Sequence, residues 1–260
     1  YGDVGQVELY LRNSAAITQT GSSGKFVVKP ADFVLSAIKC TTANAASCGA
    51  GALPSGNNPA ASNATDPTFI RADDSFSVTV TAVNSLGNAT PNYGKETVPE
   101  SVKLTTALVA PAGGNNPVLN GSFGAFTSGV ATGTGFSWGE TGIITLTPSV
   151  GDGSYLGAGD VTGTISGNVG RFYPHHFNTE IVLSGGAPIP CPSGLICPAN
   201  LLGEVGAVYS GQLFEVQVTA KNLAGVTTTN YDATLSFSKA VGLAAWDDKY
   251  RHSGCLLARH

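Results

Sequence analysis

The residues best suited to chemistry are His175-His176, adjacent in a Pro-His-His-Phe run, and Asp152 and Asp160, which bracket the glycine-rich loop 151–160. Two imidazoles could hold a transition metal. In an extended segment, however, neighbouring side chains point to opposite faces, so the two rings are expected to diverge. Packing at a domain junction, between Phe172 and Phe177, suits them better. Asp73 and Asp74, ahead of Phe76, and the pair Asp152 and Asp160 could give oxygens to a calcium ion between surface domains. Their spacing is not that of an EF-hand loop, and Asp-Gly makes turns unaided. Asp152 and Asp160 stand as the calcium candidates, and no metal ligand set is assigned.

The patterns of catalysis are missing from the sequence. It contains no Gly-x-Ser-x-Gly, no His-Glu-x-x-His and no Gly-x-x-x-x-Gly-Lys-Ser/Thr. With four His in all, and with Glu96, Glu100, Glu140 and Glu180 scattered, neither a triad nor a glycosidase carboxylate pair can be assembled on paper. The chain is therefore read as non-enzymatic, with no cofactor.

The five cysteines are Cys40, Cys48, Cys191, Cys197 and Cys255. The first four form two local pairs in Gly/Pro/Ser/Asn-rich stretches. Zinc knuckles need closer spacing and more ligands. Local disulfides, Cys40 with Cys48 and Cys191 with Cys197, fit better and imply an oxidising compartment. Cys255 has no evident partner.

Composition agrees with that placement. Charged residues are 12% of the chain, about half the usual share, and Gly numbers 34. The formal net charge is −4 with no basic cluster, which excludes nucleic acid as an expected partner. No apolar run reaches the ~18 residues of a membrane span. The absence of Met and of any signal-peptide pattern suggests an internal piece of a longer exported protein.

The chain repeats itself. Phe76-Ser-Val-Thr-Val-Thr-Ala-Val-Asn84, Gly87 and Thr90-Pro-Asn-Tyr93 return 138 residues later as Phe214-Glu-Val-Gln-Val-Thr-Ala-Lys-Asn222, Gly225 and Thr228-Thr-Asn-Tyr231. Tyr1-Gly-Asp-Val-Gly5 returns as Trp138-Gly-Glu-Thr-Gly142, and Gly24-Lys-Phe26 with Pro30-Ala-Asp-Phe33 returns as Gly170-Arg-Phe172 with Pro174-His-His-Phe177. Three matches in one order define a unit of about 140 residues, the size of a domain rather than of a solenoid repeat. Trp138, matched to Tyr1, is expected in a core. Tyr93 and Tyr231 are expected to pack or cap strands.

Phe76, Val78, Val80 and Ala82 alternate with Ser77, Thr79 and Thr81, the period-two pattern of a half-buried strand. Phe214, Val216, Val218 and Ala220 repeat it. Val102–Thr106, Ile143–Thr147 and Leu235–Ser238 also read as strands, and no amphipathic helix is evident. Short strands divided by turns predict an all-β chain of tandem immunoglobulin-like antiparallel β-sandwich domains. The repeat sets the boundaries: 1–26 as terminal strands of a preceding unit, 27–171 as a complete unit, and 172–260 as a second, truncated unit.

Gly170-Arg-Phe-Tyr-Pro-His-His-Phe177, a cysteine pair, and Phe214 to Tyr231 together resemble the repeat region of MSHA-type pilus biogenesis proteins, the MshQ kind, of Gram-negative bacteria. The resemblance implies an exported protein at the cell surface or outside it, tied to pili. Its modules would be structural or adhesive, and its partners other pilus or surface proteins.

Two functions follow as expectations. One is a structural module that self-assembles head to tail. Gln6, Val7, Glu8, Leu9, Tyr10 and Leu11 would act as a donor strand completing the next copy's truncated unit. The alternative is an adhesin that recognises glycan or protein through the long connections at 41–68 and 107–135.

Overall fold

The computed structural model describes residues 1–12, 20–41, 56–183, 187–188, 199–200, 203–204 and 214–243. Its strands are β1 (Gly5–Arg12), β2 (Thr20–Val28), β3 (Asp32–Cys40), β4 (Ile70–Arg71), β5 (Phe76–Val83), β6 (Val102–Ala110) and β7 (Val130–Phe136). They continue with β8 (Gly142–Val150), β9 (Val169–Tyr173), β10 (His176–Leu183), β11 (Ala187–Pro188), β12 (Ala199–Asn200), β13 (Gly203–Glu204) and β14 (Glu215–Lys221). Among the described residues the one helical element is a 3-10 turn at Tyr155–Gly157.

The alternation around Phe76 becomes the centre of a sandwich. β5 lies between β3 and β7, antiparallel to both, with Phe33 opposite Ala82 and Val80 opposite Ala131. The facing sheet runs β4-β9-β8-β6 and is antiparallel except for the short parallel contact of β4 with β9. Between the sheets Phe69, Phe76, Phe136, Trp138, Ile144, Leu146 and Phe172 are all buried in one cluster. Phe172 meets Phe69 and Phe76 at 5.8 Å and Trp138 at 5.2 Å. A second cluster holds Phe33, Val80, Tyr93 and Tyr155. Each such side chain taken from water stabilises by about 1.5–3 kcal/mol, so apolar burial dominates the unit.

The next unit opens in the same way. β10 pairs with β14, and Phe177 stands opposite Ala220 as Phe33 stands opposite Ala82. The aromatic contact recurs as well: Phe33–Tyr93 at 5.3 Å and Phe177–Tyr231 at 5.6 Å, both edge to face. The chain is all-β, with antiparallel sheets in a sandwich-like arrangement across tandem domains.

Several sequence expectations need correction. Ser77, expected outside, is buried, because β5 is a central strand and its hydroxyl donates to Lys39 O at 3.1 Å. Phe214, expected inside, is 47% exposed. Leu235–Ser238 is not a strand. Asp232 Oδ1 accepts from Thr234 N and Oγ1, both at 2.6 Å, and this local capping folds the segment into turns. The 107–135 connection is shorter than expected, since β6 runs to Ala110 and β7 begins at Val130.

Gln6 to Leu11 lie in β1, which pairs with β2 of the same chain as a two-stranded sheet. Their repeat counterparts lie in β8, inside a four-stranded sheet. Leu9 is 58% exposed where its counterpart Leu146 is fully buried. Tyr1 is likewise exposed where Trp138 is buried.

Candidate functional site

The acidic and histidine candidates serve local structure. Asp152 Oδ1 accepts from Ser154 N and Asp160 Oδ1 from Val161 N, so each caps its own turn. Glu96 accepts from the Tyr155 hydroxyl at 2.7 Å, and Glu100 from Leu156 N at 2.8 Å. Burial, then the neighbouring carboxylates, raise the phenolic pKa of Tyr93. Burial and the bond to Glu96 raise that of Tyr155, and burial raises Glu100. Asp73 accepts from Ser137 Oγ, and buried Asp74 pairs with Arg71 at 2.7 Å. Among the described residues, no group of three or more His, Cys, Asp or Glu could hold a metal ion.

The His175 and His176 rings do not diverge as expected. Their Nδ1 atoms are 2.9 Å apart and the rings are perpendicular. His175 sits in a bend before β10 begins, so strand alternation does not apply there. One Nδ1 donates to the other, which accounts for the contact. Cys40 is disulfide-bonded. Cys48, Cys191 and Cys197 lie outside the described residues.

The repeat instead converges on a junction. Immediately after β5 and after β14 the chain reverses at an asparagine turn. Asn84 Oδ1 accepts from Leu86 N and Asn88 N, and Asn222 Oδ1 accepts from Val226 N. That fixes each amide with Nδ2 pointing away from its own turn. Asn84 Nδ2 donates to Gly2 O at 2.8 Å, and Asn222 Nδ2 donates to Gly139 O at 3.0 Å. A Cβ on Gly139 would stand 3.2 Å from that nitrogen, so glycine permits the close approach.

The acid after each of those glycines completes the clasp. Asp3 Oδ1 accepts from its neighbour Val4 N at 2.9 Å and from Asn92 N at 3.1 Å. Glu140 Oε2 accepts from its neighbour Thr141 N and from Asn230 N, both at 3.1 Å. Glu140 Oε1 also accepts from Thr229 N at 2.9 Å and Thr229 Oγ1 at 2.7 Å. Glu140 is 2% exposed and amply supplied with donors, the condition under which a buried carboxylate is tolerated.

The second junction is further tied by Asn230. Its Nδ2 donates to Asn115 O and Thr141 O, and its Oδ1 accepts from Asn115 N at 2.6 Å. Leu223 N donates to Ala72 O, and Phe237 packs with Ala61 and Ile143. Beside the first junction opens a cleft of about 450 Å³ lined by Tyr1, Gln6, Asn92, Lys95, Glu96 and Leu156.

Sequence reasoning missed Glu140, which looked like one scattered acid. The signal was present: the repeat places Asp3 over Glu140 and Asn92 over Asn230.

A tandem all-β chain whose successive units meet through one recurring clasp is the class that the fold and junction define. Residues 29–136 match the family model described as DUF6701, second domain, and residues 140–259 match DUF6701, third domain. The chain thus carries the second and third domains of DUF6701. No curated protein and no solved structure matches it. The sheet β4-β9-β8-β6 crosses between the two matched ranges, because β8 and β9 lie in the second range and β4 and β6 in the first. Among the described residues no helix is long and apolar enough to cross a membrane.

Proposed function

We propose that this chain is a structural module of an exported, pilus-associated surface protein, in which successive sandwich units are held end to end. The carrying observation is the repeated clasp: the same glycine carbonyl, acid and two asparagines join units at two places in one chain. Contacts that recur at the domain repeat are those that propagate a stalk. The disulfide at Cys40 supports an oxidising compartment. The resemblance to MSHA-type pilus biogenesis proteins supports a Gram-negative cell surface, with other pilus or surface proteins as partners. Small-angle X-ray scattering of the whole chain tests the stalk. The expected result is one narrow interdomain distance distribution that broadens in Glu140→Ala. Identical profiles for both proteins would overturn the reading.

The exposure of Leu9, set against the burial of its counterpart Leu146, favours a finer reading. In the complete sandwich the β8–β9 pair is flanked by β6 and β4. The β1–β2 hairpin is built from the same repeat positions and would complete a sandwich on a neighbouring copy in the same way, giving filaments. Electron microscopy should then show fibres that vanish when residues 1–12 are deleted. Monodisperse particles near 26.3 kDa would overturn exchange between copies while leaving the stalk intact.

A further inference from the structure

We propose that a matched pair of residues at each junction, Asp3 with Pro91 and Glu140 with Thr229, determines which unit docks on which. The proposal rests on the reading that the clasp holds successive units together. Pro91 and Thr229 occupy the same place, between the threonine and asparagine of Thr90-Pro-Asn92 and Thr228-Thr-Asn230.

The two positions offer opposite chemistry. Proline has no N–H and no hydroxyl, so at the first junction the incoming carboxylate finds one donor across the interface, Asn92 N. Aspartate suffices: Oδ1 takes both Asn92 N and Val4 N. Thr229 adds two donors, its N–H and its hydroxyl, both aimed at Glu140 Oε1. Glutamate is longer by one methylene. It spreads its carboxylate across two consecutive amides, with Oε1 on Thr229 and Oε2 on Asn230 and Thr141.

Crossed pairings fail for different reasons. Glutamate against proline would leave Oε1 of the buried Glu140 facing a ring that donates nothing, with the long 3.5 Å bond from Asn115 Nδ2 in place of the two from Thr229. Aspartate against threonine would draw the carboxylate back from the Thr229 N–H and hydroxyl, which at this exposed residue turn to water instead, so this crossing costs less. An underbonded buried carboxylate weakens such a contact by about ten- to a hundredfold, and the aspartate crossing weakens it by less. A unit with proline at this place thus accepts the Gly-Asp arm of its predecessor, and a unit with threonine accepts a Gly-Glu arm. The partner of each turn is therefore a particular acid-bearing arm.

The test is a double-mutant cycle in the full chain with Glu140→Asp, Thr229→Pro and both together. The readout is amide hydrogen exchange at Asn230, whose N–H is present in every variant. Thr229→Pro should speed exchange about ten- to a hundredfold and Glu140→Asp by less, and the double variant should return to within about threefold of the parent. A double variant as fast as the two singles multiplied, or singles that change nothing, would overturn the pairing rule. Exchange at Thr228, bonded to Ala220 O, reports whether the unit stays folded. Should Thr229→Pro unfold it, Thr229→Val removes the hydroxyl alone. Glu140→Asp must then do less harm in the valine background than in the parent, and equal harm would count against the rule. Glu140→Ala separates the two ideas. If it leaves Asn230 protected, the clasp itself fails. If it exposes Asn230 while the cycle shows no coupling, only the pairing rule fails.

Discussion

Asn222 donates through Nδ2 to the carbonyl of Gly139, 3.0 Å away across the junction, while its Oδ1 accepts from Val226 N at 2.9 Å. One buried amide thus fixes a turn and a neighbour at once. Asn222→Ala strands both partners, a loss of about 1–3 kcal/mol. Asn84→Ala removes the equivalent bonds at a half-buried site where water can substitute, and should lose less. Amide exchange at Thr228 and at Thr90 reads the two turns separately. A larger effect at Asn84 would contradict the account.

The repeat supplies a matched pair for packing. Phe172 is fully buried against Phe69, Phe76 and Trp138, whereas its counterpart Phe26 is 41% exposed. Phe172→Ala should cost about 3–5 kcal/mol through lost transfer energy and the cavity left behind. Phe26→Ala should cost about 0.5 kcal/mol, as at an ordinary surface site. Thermal unfolding of the two variants by calorimetry decides it, and comparable losses would mean that the hairpin is packed in solution.

Legibility followed locality. The β5 pattern could be read because a strand's two faces are written in adjacent residues, and Phe76, Val78, Val80 and Ala82 are all fully buried. Trp138 was placed in the core correctly because the repeat marked it as a structural position. Glu140 was not legible as a clasp, since its donors come from residues 229 and 230, far away in the chain. Leu235–Ser238 was misread because an apolar alternation gave way to one strong capping residue, Asp232. The histidines were misread because a strand rule was applied to a bend.

That bend carries a pH dependence. Burial, then the nearby Arg71 charge, hold the His175 imidazole below its ordinary pKa of 6.5, with Asp74 opposing and His176 adding to the effect. The folded protein therefore binds this proton less readily than the unfolded chain does. Stability from this group is present above about pH 6.5 and falls as the pH drops through that value. The 2.9 Å contact with His176 accepts one proton and not two. Unfolding midpoints measured from pH 8 to pH 5 should decline, and should decline less in His175→Gln. Parallel curves for parent and variant would remove His175 as the cause.

Two glycines separate backbone strain from crowding. Gly87 and Gly129 both have φ of +78°, in the left-handed region that disfavours side chains. A Cβ on Gly87 meets nothing within 4 Å, so Gly87→Ala should cost only the conformational term, about 1 kcal/mol. A Cβ on Gly129 would stand 2.5 Å from Thr90 O and 2.9 Å from Thr90 C. Those atoms are backbone and cannot swing aside. Thr90 N is also bonded to Ala82 O, and Ala82 N to Gly129 O, so any shift is carried into the centre of β5. Gly129→Ala should therefore lose about 1–3 kcal/mol beyond the Gly87 value. Denaturant titration of both variants gives the difference directly, and equal losses would show that the β5–β7 corner yields where its hydrogen bonds say it should not.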